Sequence, residues 1–152
     1  MFTKQLEVIP LRGIGTASFG MTPAEVRAAL GEPEGYEEWM GGNLNDSLLF
    51  HGLICGFDEC DAYGPLSGSA LCELRISVPH RGDTVLWGRP LAQWTARDLR
   101  QHAASMSIEF ETGPRDSMSS KSVGMACDFD SERRLEAIEL WRVEEGRSRP
   151  AV

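Results

Sequence analysis

The side chains of this 152-residue chain that could do chemistry are three histidines, four cysteines and 23 carboxylates. His102 follows Asp98 at the i, i+4 spacing. On one helix face such a pair could share a proton or offer two ligands to a metal. One pair falls short of a metal site, and a surface acid–imidazole pair is the simpler expectation. His51 follows the apolar run Leu48-Leu49-Phe50 and reads as a strand residue, whereas His80 follows Pro79 in a short connection. The cysteines are Cys55, Cys60, Cys72 and Cys127, without the C-x-x-C pairing of a zinc site. Cys55, Cys72 and Cys127 lie in apolar runs and are expected as small core residues.

The carboxylates cluster at Asp58, Glu59 and Asp61 and again at Asp128 and Asp130. Paired carboxylates can act as acid and base or hold a cation. Here Asp58 and Asp130 each close an apolar run before a turn, where an aspartate bonds the backbone that follows it. Gly68-Ser69-Ala70 is not a nucleophile elbow. Gly13-Ile14-Gly15 lacks the third glycine of a dinucleotide fingerprint, and no phosphate-loop motif occurs. The expectation is therefore a chain with no catalytic, metal or cofactor-binding residues, and not an enzyme.

Charge narrows the choice of partner. The formal net charge is -8, the pI is about 4.9, and no basic stripe is present, which argues against a nucleic-acid binder. No stretch approaches the 18 apolar residues of a membrane span, and the N-terminal residues lack the apolar region of a secretory signal. The cytoplasm is the expected location, with the thiols reduced. At 41% hydrophobic and 25% charged residues, the composition is that of a soluble globular domain.

The elements that must position these residues come in two similar sets. Residues 21–27 read Met-Thr-Pro-Ala-Glu-Val-Arg and residues 94–100 read Trp-Thr-Ala-Arg-Asp-Leu-Arg. Each is a helix start: Thr22 and Thr95 are N-caps, with Glu25 and Asp98 at the third helical position of a capping box. Met21 with Val26, and Trp94 with Leu99, have the spacing of a hydrophobic staple. Residues 52–58, Gly-Leu-Ile-Cys-Gly-Phe-Asp, match residues 124–130, Gly-Met-Ala-Cys-Asp-Phe-Asp, at nearly the same offset. Leu71–Val78 and Leu135–Val143 follow as alternating strands, closer together because residues 59–70 form a turn-rich insertion. The expected fold class is α+β, in two tandem repeats. Each repeat has one helix packed on an antiparallel sheet of about three to four strands. The first spans about 8–80 and the second about 83–145, joined by the short linker 79–83 and followed by a frayed tail, 146–152. Strands are expected near 36–40, 47–57 and 70–78, then 106–111, 122–130 and 135–143. Trp87 and Trp141 are expected on strands.

The run Phe19-Gly20-Met21-Thr22, with Glu25-Val26, Leu30-Gly31 and Pro33, resembles the helix motif of SmpA/BamE-type modules. It is also similar to the tandem units of the β-lactamase inhibitor protein family. Those families lay helices on one face of an antiparallel sheet and bind proteins, which the resemblance implies here. A two-unit acidic protein without an export signal also looks like the immunity proteins that neutralise bacterial toxins inside the producing cell.

Residues 1–80 hold 11 acids and four bases, a net of -7, while residues 81–152 hold 12 acids and 11 bases, a net of -1. The acidic excess surrounds Tyr36, Glu37, Glu38 and Trp39 and the insertion with Asp58, Glu59, Asp61 and Tyr63. Acids steer a basic partner and aromatic rings then bury against it. These eight residues are the expected partner-binding set, and the expected partner is a basic toxin effector domain occluded by an immunity-type inhibitor. The alternatives are a small-ligand-binding or enzymatic α+β domain with its site between the repeats, and a regulatory subunit of a cellular complex.

Overall fold

The helices begin where the two threonines place them. The structure, a computed structural model, describes residues 6–33 and 46–143. In chain order the first part holds β1 (Glu7–Ile9), β2 (Gly13–Ile14), β3 (Ala17–Ser18), α1 (Pro23–Leu30), β4 (Ser47–Phe50) and β5 (Leu53–Phe57). The short strands β6 (Cys60–Asp61) and β7 (Gly64–Pro65) follow, then β8 (Leu71–Ser77) and the single-turn α2 (Val78–Arg81). The remainder holds β9 (Val85–Leu86), β10 (Arg89–Pro90), α3 (Ala96–Ser105) and β11 (Glu111–Thr112). It ends with β12 (Met118–Ser120), β13 (Met125–Phe129) and β14 (Leu135–Trp141).

The Thr22 hydroxyl accepts from the Glu25 N–H at 3.3 Å, and the Glu25 carboxylate accepts from the Thr22 N–H at 3.0 Å. This reciprocal box satisfies two donors that a helix start leaves unbonded. Thr95 accepts from the Asp98 N–H at 3.1 Å. The shorter Asp98 side chain pairs instead with Arg89, at 3.0 Å.

The fold is mixed α+β. Its main sheet has seven strands in the order β11-β12-β13-β14-β8-β5-β4, all neighbours antiparallel. Strands β8 and β14 meet at its centre, Ile76 opposite Ile138 and Leu74 opposite Leu140. On either side the pairing follows one plan. Cys55 lies opposite Leu74 and Phe57 opposite Leu71, with a register shift between Gly56 and Phe57. Cys127 lies opposite Ile138 and Phe129 opposite Leu135, with a register shift between Asp128 and Phe129. The Leu71 N–H donates to the Met21 carbonyl at 2.8 Å, and the Leu135 N–H to the Trp94 carbonyl at 3.0 Å. A smaller sheet, β10-β9-β1-β2-β3, joins two tight hairpins through the parallel pair β1–β9. Ile14 pairs with Ala17 in one hairpin, and Leu86 with Arg89 in the other.

Alternation along the central strands sends Leu53, Cys55, Leu74, Ile76, Met125, Cys127, Ile138 and Leu140 to one face, where all are buried. Val26 of α1, Leu99 and Ala103 of α3, and Trp94 are buried on the facing side. The buried apolar residues of both parts form one contiguous cluster.

Several strand boundaries differ from expectation. The segment 47–57 is a hairpin, because His51-Gly52 turns with Gly52 at φ +71. The segment 106–111 is mostly turn and irregular chain, with Ser107 at φ +59, and only Glu111–Thr112 enters the ladder. The segment 122–130 contributes Met125–Phe129, and its hairpin partner Met118–Ser120 is too short and polar to show an alternating pattern. The linker 79–83 begins within α2. Trp87 occupies a turn at φ +49 and is half-buried rather than on a strand. Cys72 is half-buried, while Cys55 and Cys127 are fully buried. The expected strand 36–40 and the tail 146–152 lie outside the described residues.

Candidate functional site

The insertion at 59–70 is a closed loop built on Asp58. The Asp58 carboxylate accepts from the Ala70 N–H at 2.9 Å, and the Asp58 N–H donates to the Ala70 carbonyl at 3.1 Å. At the matching point of the second part, the Asp130 carboxylate accepts from the Glu132 and Arg134 N–H groups at 2.8 and 3.0 Å. Asp130 thus fixes a turn on the backbone that follows it, as expected, whereas Asp58 bonds a residue twelve positions on and closes the loop instead. Within the insertion, buried Ser69 bonds the Leu66 carbonyl at 2.6 Å and so ties down the returning chain.

At the far end, β6 and β7 form a two-stranded ribbon. The Asp61 carboxylate accepts from the Tyr63 N–H at 2.7 Å, an Asx turn that sets the tip. Tyr63 is 98% exposed. Glu59, Cys60 and Asp61 are exposed beside it. The structure therefore brings Glu59, Asp61 and Tyr63 onto one projecting ribbon and leaves Asp58 at its base. Tyr36, Glu37, Glu38 and Trp39, the other half of the expected set, lie outside the described residues.

Sequence reasoning missed an aromatic cluster in the second part. Trp94 is 1% exposed, and its indole N–H reaches the Leu86 and Arg89 carbonyls at 3.1 and 3.3 Å. The Arg89 guanidinium lies 4.2 Å above the Trp94 ring. His102 stacks on Trp87 with ring centroids 4.9 Å apart and meets the edge of Trp94 at 5.6 Å. The expected Asp98–His102 pair is therefore replaced: Asp98 holds Arg89, and His102 packs on indoles. The spacing of Trp87, Trp94 and His102 carries no helix or strand period, because the three come from a turn, a helix cap and a helix end.

Described residues line several cavities. One of 630 Å³ lies where β8 meets β14, with Ser77 and Pro79 on one side and Arg115, Asp128 and Glu136 on the other. One of 380 Å³ lies under the outer flank of α3, near Arg100, Phe110 and Met118. Another, of 290 Å³, lies beside α1, among Leu30, Phe50, Leu53 and Arg81. Among the described residues no three His, Cys, Asp or Glu side chains form a metal-binding group. Burial pushes the Cys55 thiol up to about 12, opposed by the positive charge of Arg81. Burial, then the neighbouring Asp128 carboxylate, pushes Cys127 up as well. Such thiols are poor nucleophiles, since thiolate is the reactive form.

Compared with known proteins, the chain matches no family model, no curated protein and no solved structure. No helix among the described residues is long and apolar enough to cross a membrane.

Proposed function

We propose that this chain is a non-catalytic protein-binding module made of two related α+β units. In its most concrete form it is an immunity-type inhibitor that works in the cytoplasm of a bacterial producer and occludes a basic toxin enzyme. The observation that carries the reading is Tyr63, an aromatic ring 98% exposed on an acidic ribbon. Tyrosine is among the side chains most enriched at protein interfaces, and beside acidic neighbours this ring is the natural anchor for a partner. Four turn residues, Ser131 to Arg134, serve in the second part where the first spends its insertion. The shared registers, the paired bulges and the two threonine caps support the two-unit reading. The helix-motif resemblance and the acidic excess of the first 80 residues point the same way.

The test is charge reversal of Glu37, Glu38, Glu59 and Asp61, with association to the co-purifying protein followed at low and high salt. A slower on-rate and a flatter salt dependence are expected, since surface charges act mainly on encounter. Unchanged kinetics would reject the acidic surface. The second reading, a small-ligand or enzymatic domain, draws on the 630 Å³ cavity at the β8–β14 junction. Recovery of a metabolite instead of a protein from the native host would favour it.

A further inference from the structure

The 290 Å³ cavity lies between the β2–β3 turn, α1 and the β4–β5 turn. Leu6, Leu30, Phe50 and Leu53 line it, and among the described residues Arg81 is its one charged wall. Its volume stands at the lower edge of small-ligand sites, about 300–1,000 Å³. We propose that this cavity binds a small monocarboxylate with an apolar body, of the kind a medium-chain fatty acid or an arylalkanoic acid presents.

The space follows from side-chain choice within a frame that the second part also builds. There the turn of the β9–β10 hairpin carries Trp87, and the late turns of α3 carry His102; the two rings stack and fill the gap. In the first part the hairpin turn carries Gly15 and the late turns of α1 carry Ala29, and both line the cavity. Gly15 sits at φ +57, and a Cβ there would come within 2.8 Å of a Leu6 methyl. Trp87 holds its indole at a similar backbone angle, φ +49, so the space at Gly15 comes from the missing side chain and from the Leu6 methyl that sits close to where its Cβ would be.

Arg81 lines this space and is anchored beside it. Its Nε donates to the His51 carbonyl across the β4–β5 turn. A Cβ at Gly52, φ +71, would lie 2.8 Å from Arg81 Cγ and 2.7 Å from His80 Cβ. The arginine stem crosses the turn because residue 52 has no side chain. Arg81 is half-buried as a residue, and among the described residues its two terminal nitrogens donate no hydrogen bond, which leaves the fork that matches a carboxylate. Among the described residues no carboxylate forms an ion pair with it. Its field reaches the interior, as its effect on buried Cys55 shows. A monoanion with an apolar tail answers both features: the tail fills the apolar walls and the carboxylate pairs with Arg81. None of the described lining residues belongs to the acidic ribbon, and the proposal does not depend on the protein-partner reading.

The experiment titrates the full chain with octanoate and, separately, with 1-octanol, followed by calorimetry and backbone amide NMR. Octanoate is expected to bind saturably, with the largest shifts at Gly15, Ala29, Leu30 and Leu53. Octanol should bind more weakly by about tenfold, the loss of one charge-assisted contact. Arg81→Gln should weaken octanoate by a similar factor and leave octanol unchanged. Ala29→Phe, a plug in the place of His102, should remove both; Ala29→Leu replaces it if the larger ring prevents folding. Absence of saturable binding, shifts centred elsewhere, or octanoate affinity indifferent to Arg81→Gln overturns the proposal.

Discussion

The two hairpin–helix junctions of this molecule share a backbone plan and differ in what fills them. Gly15 and Ala29 leave a cavity in the first, whereas Trp87 and His102 close the second with stacked rings. The same contrast recurs where the chain returns to the central sheet. Asp58 closes a twelve-residue insertion, and Asp130 closes a four-residue turn. The shared features are the helix caps, the bulges, the central ladders and the buried strand face. These satisfy backbone polar groups and bury apolar surface, which any folded version must do. The unshared features, the insertion and the open cavity of the first part and the stacked rings of the second, sit outside that frame.

The sharpest way to break this comparison is at the residues that precede the caps. Trp94→Ala should cost about 3–5 kcal/mol, the range for a buried aromatic. Half-buried Met21→Ala, on the same backbone bond, should cost well under half as much. Urea unfolding of both variants checks this, and equal losses would show that the two junctions are packed alike.

The buried thiols, one in each part, give the next largest effect. Their folded-state values are raised, so both stay protonated in the fold while the unfolded chain ionises above its ordinary value of 9.0. The unfolded state then binds fewer protons, and stability falls as pH rises through that window. Near pH 11 the loss from Cys55 alone is of the order of 3 kcal/mol. Stability measured from pH 8 to 11 should decline, and Cys55→Ala should make the decline shallower. A profile unaffected by that substitution would remove the buried-thiol account. At neutral pH an alkylating reagent should modify exposed Cys60 ahead of Cys55 and Cys127.

Smaller effects sharpen the match between the helix starts. Thr22→Ala and Thr95→Ala should each cost about 1 kcal/mol in thermal or urea unfolding. Glu25→Ala should add a few tenths by opening the box, a loss that has no counterpart at Asp98, whose carboxylate serves Arg89. The smallest expected change is Tyr63→Ala. With the ring exposed, stability should stay within about 0.5 kcal/mol. Any loss should appear in partner association alone, and a stability loss above 1 kcal/mol would assign the ring a packing role.

Local signals placed much of the frame. The threonine caps, the alternation along β8 and β14 and the turn role of Asp130 all depend on residues within a few positions of one another. That is the reach of capping, periodicity and turn chemistry. The turn inside 47–57 escaped because Leu48–Phe57 is nearly all apolar, and an apolar run hides a hairpin whose two strands are both buried. Met118–Ser120 escaped because a three-residue strand shows no period. Of the expected partner residues, Asp58, Glu59, Asp61 and Tyr63 fell where the insertion was read, and the structure separated the base of the ribbon from its tip.

By itself, the sequence determined the α+β class, the helix starts, the acidic imbalance and the absence of familiar catalytic motifs, since composition and short-range spacing carry all four. Only the tertiary structure decided that β8 and β14 join the two parts into one seven-stranded sheet. It alone paired Asp98 with Arg89 and set His102 on two indoles. It also carried Arg81 across a glycine turn to the lining of a cavity beside α1. Each of these unites residues distant in the chain, and what selects such contacts is the shared burial of apolar surface, which no local spacing records.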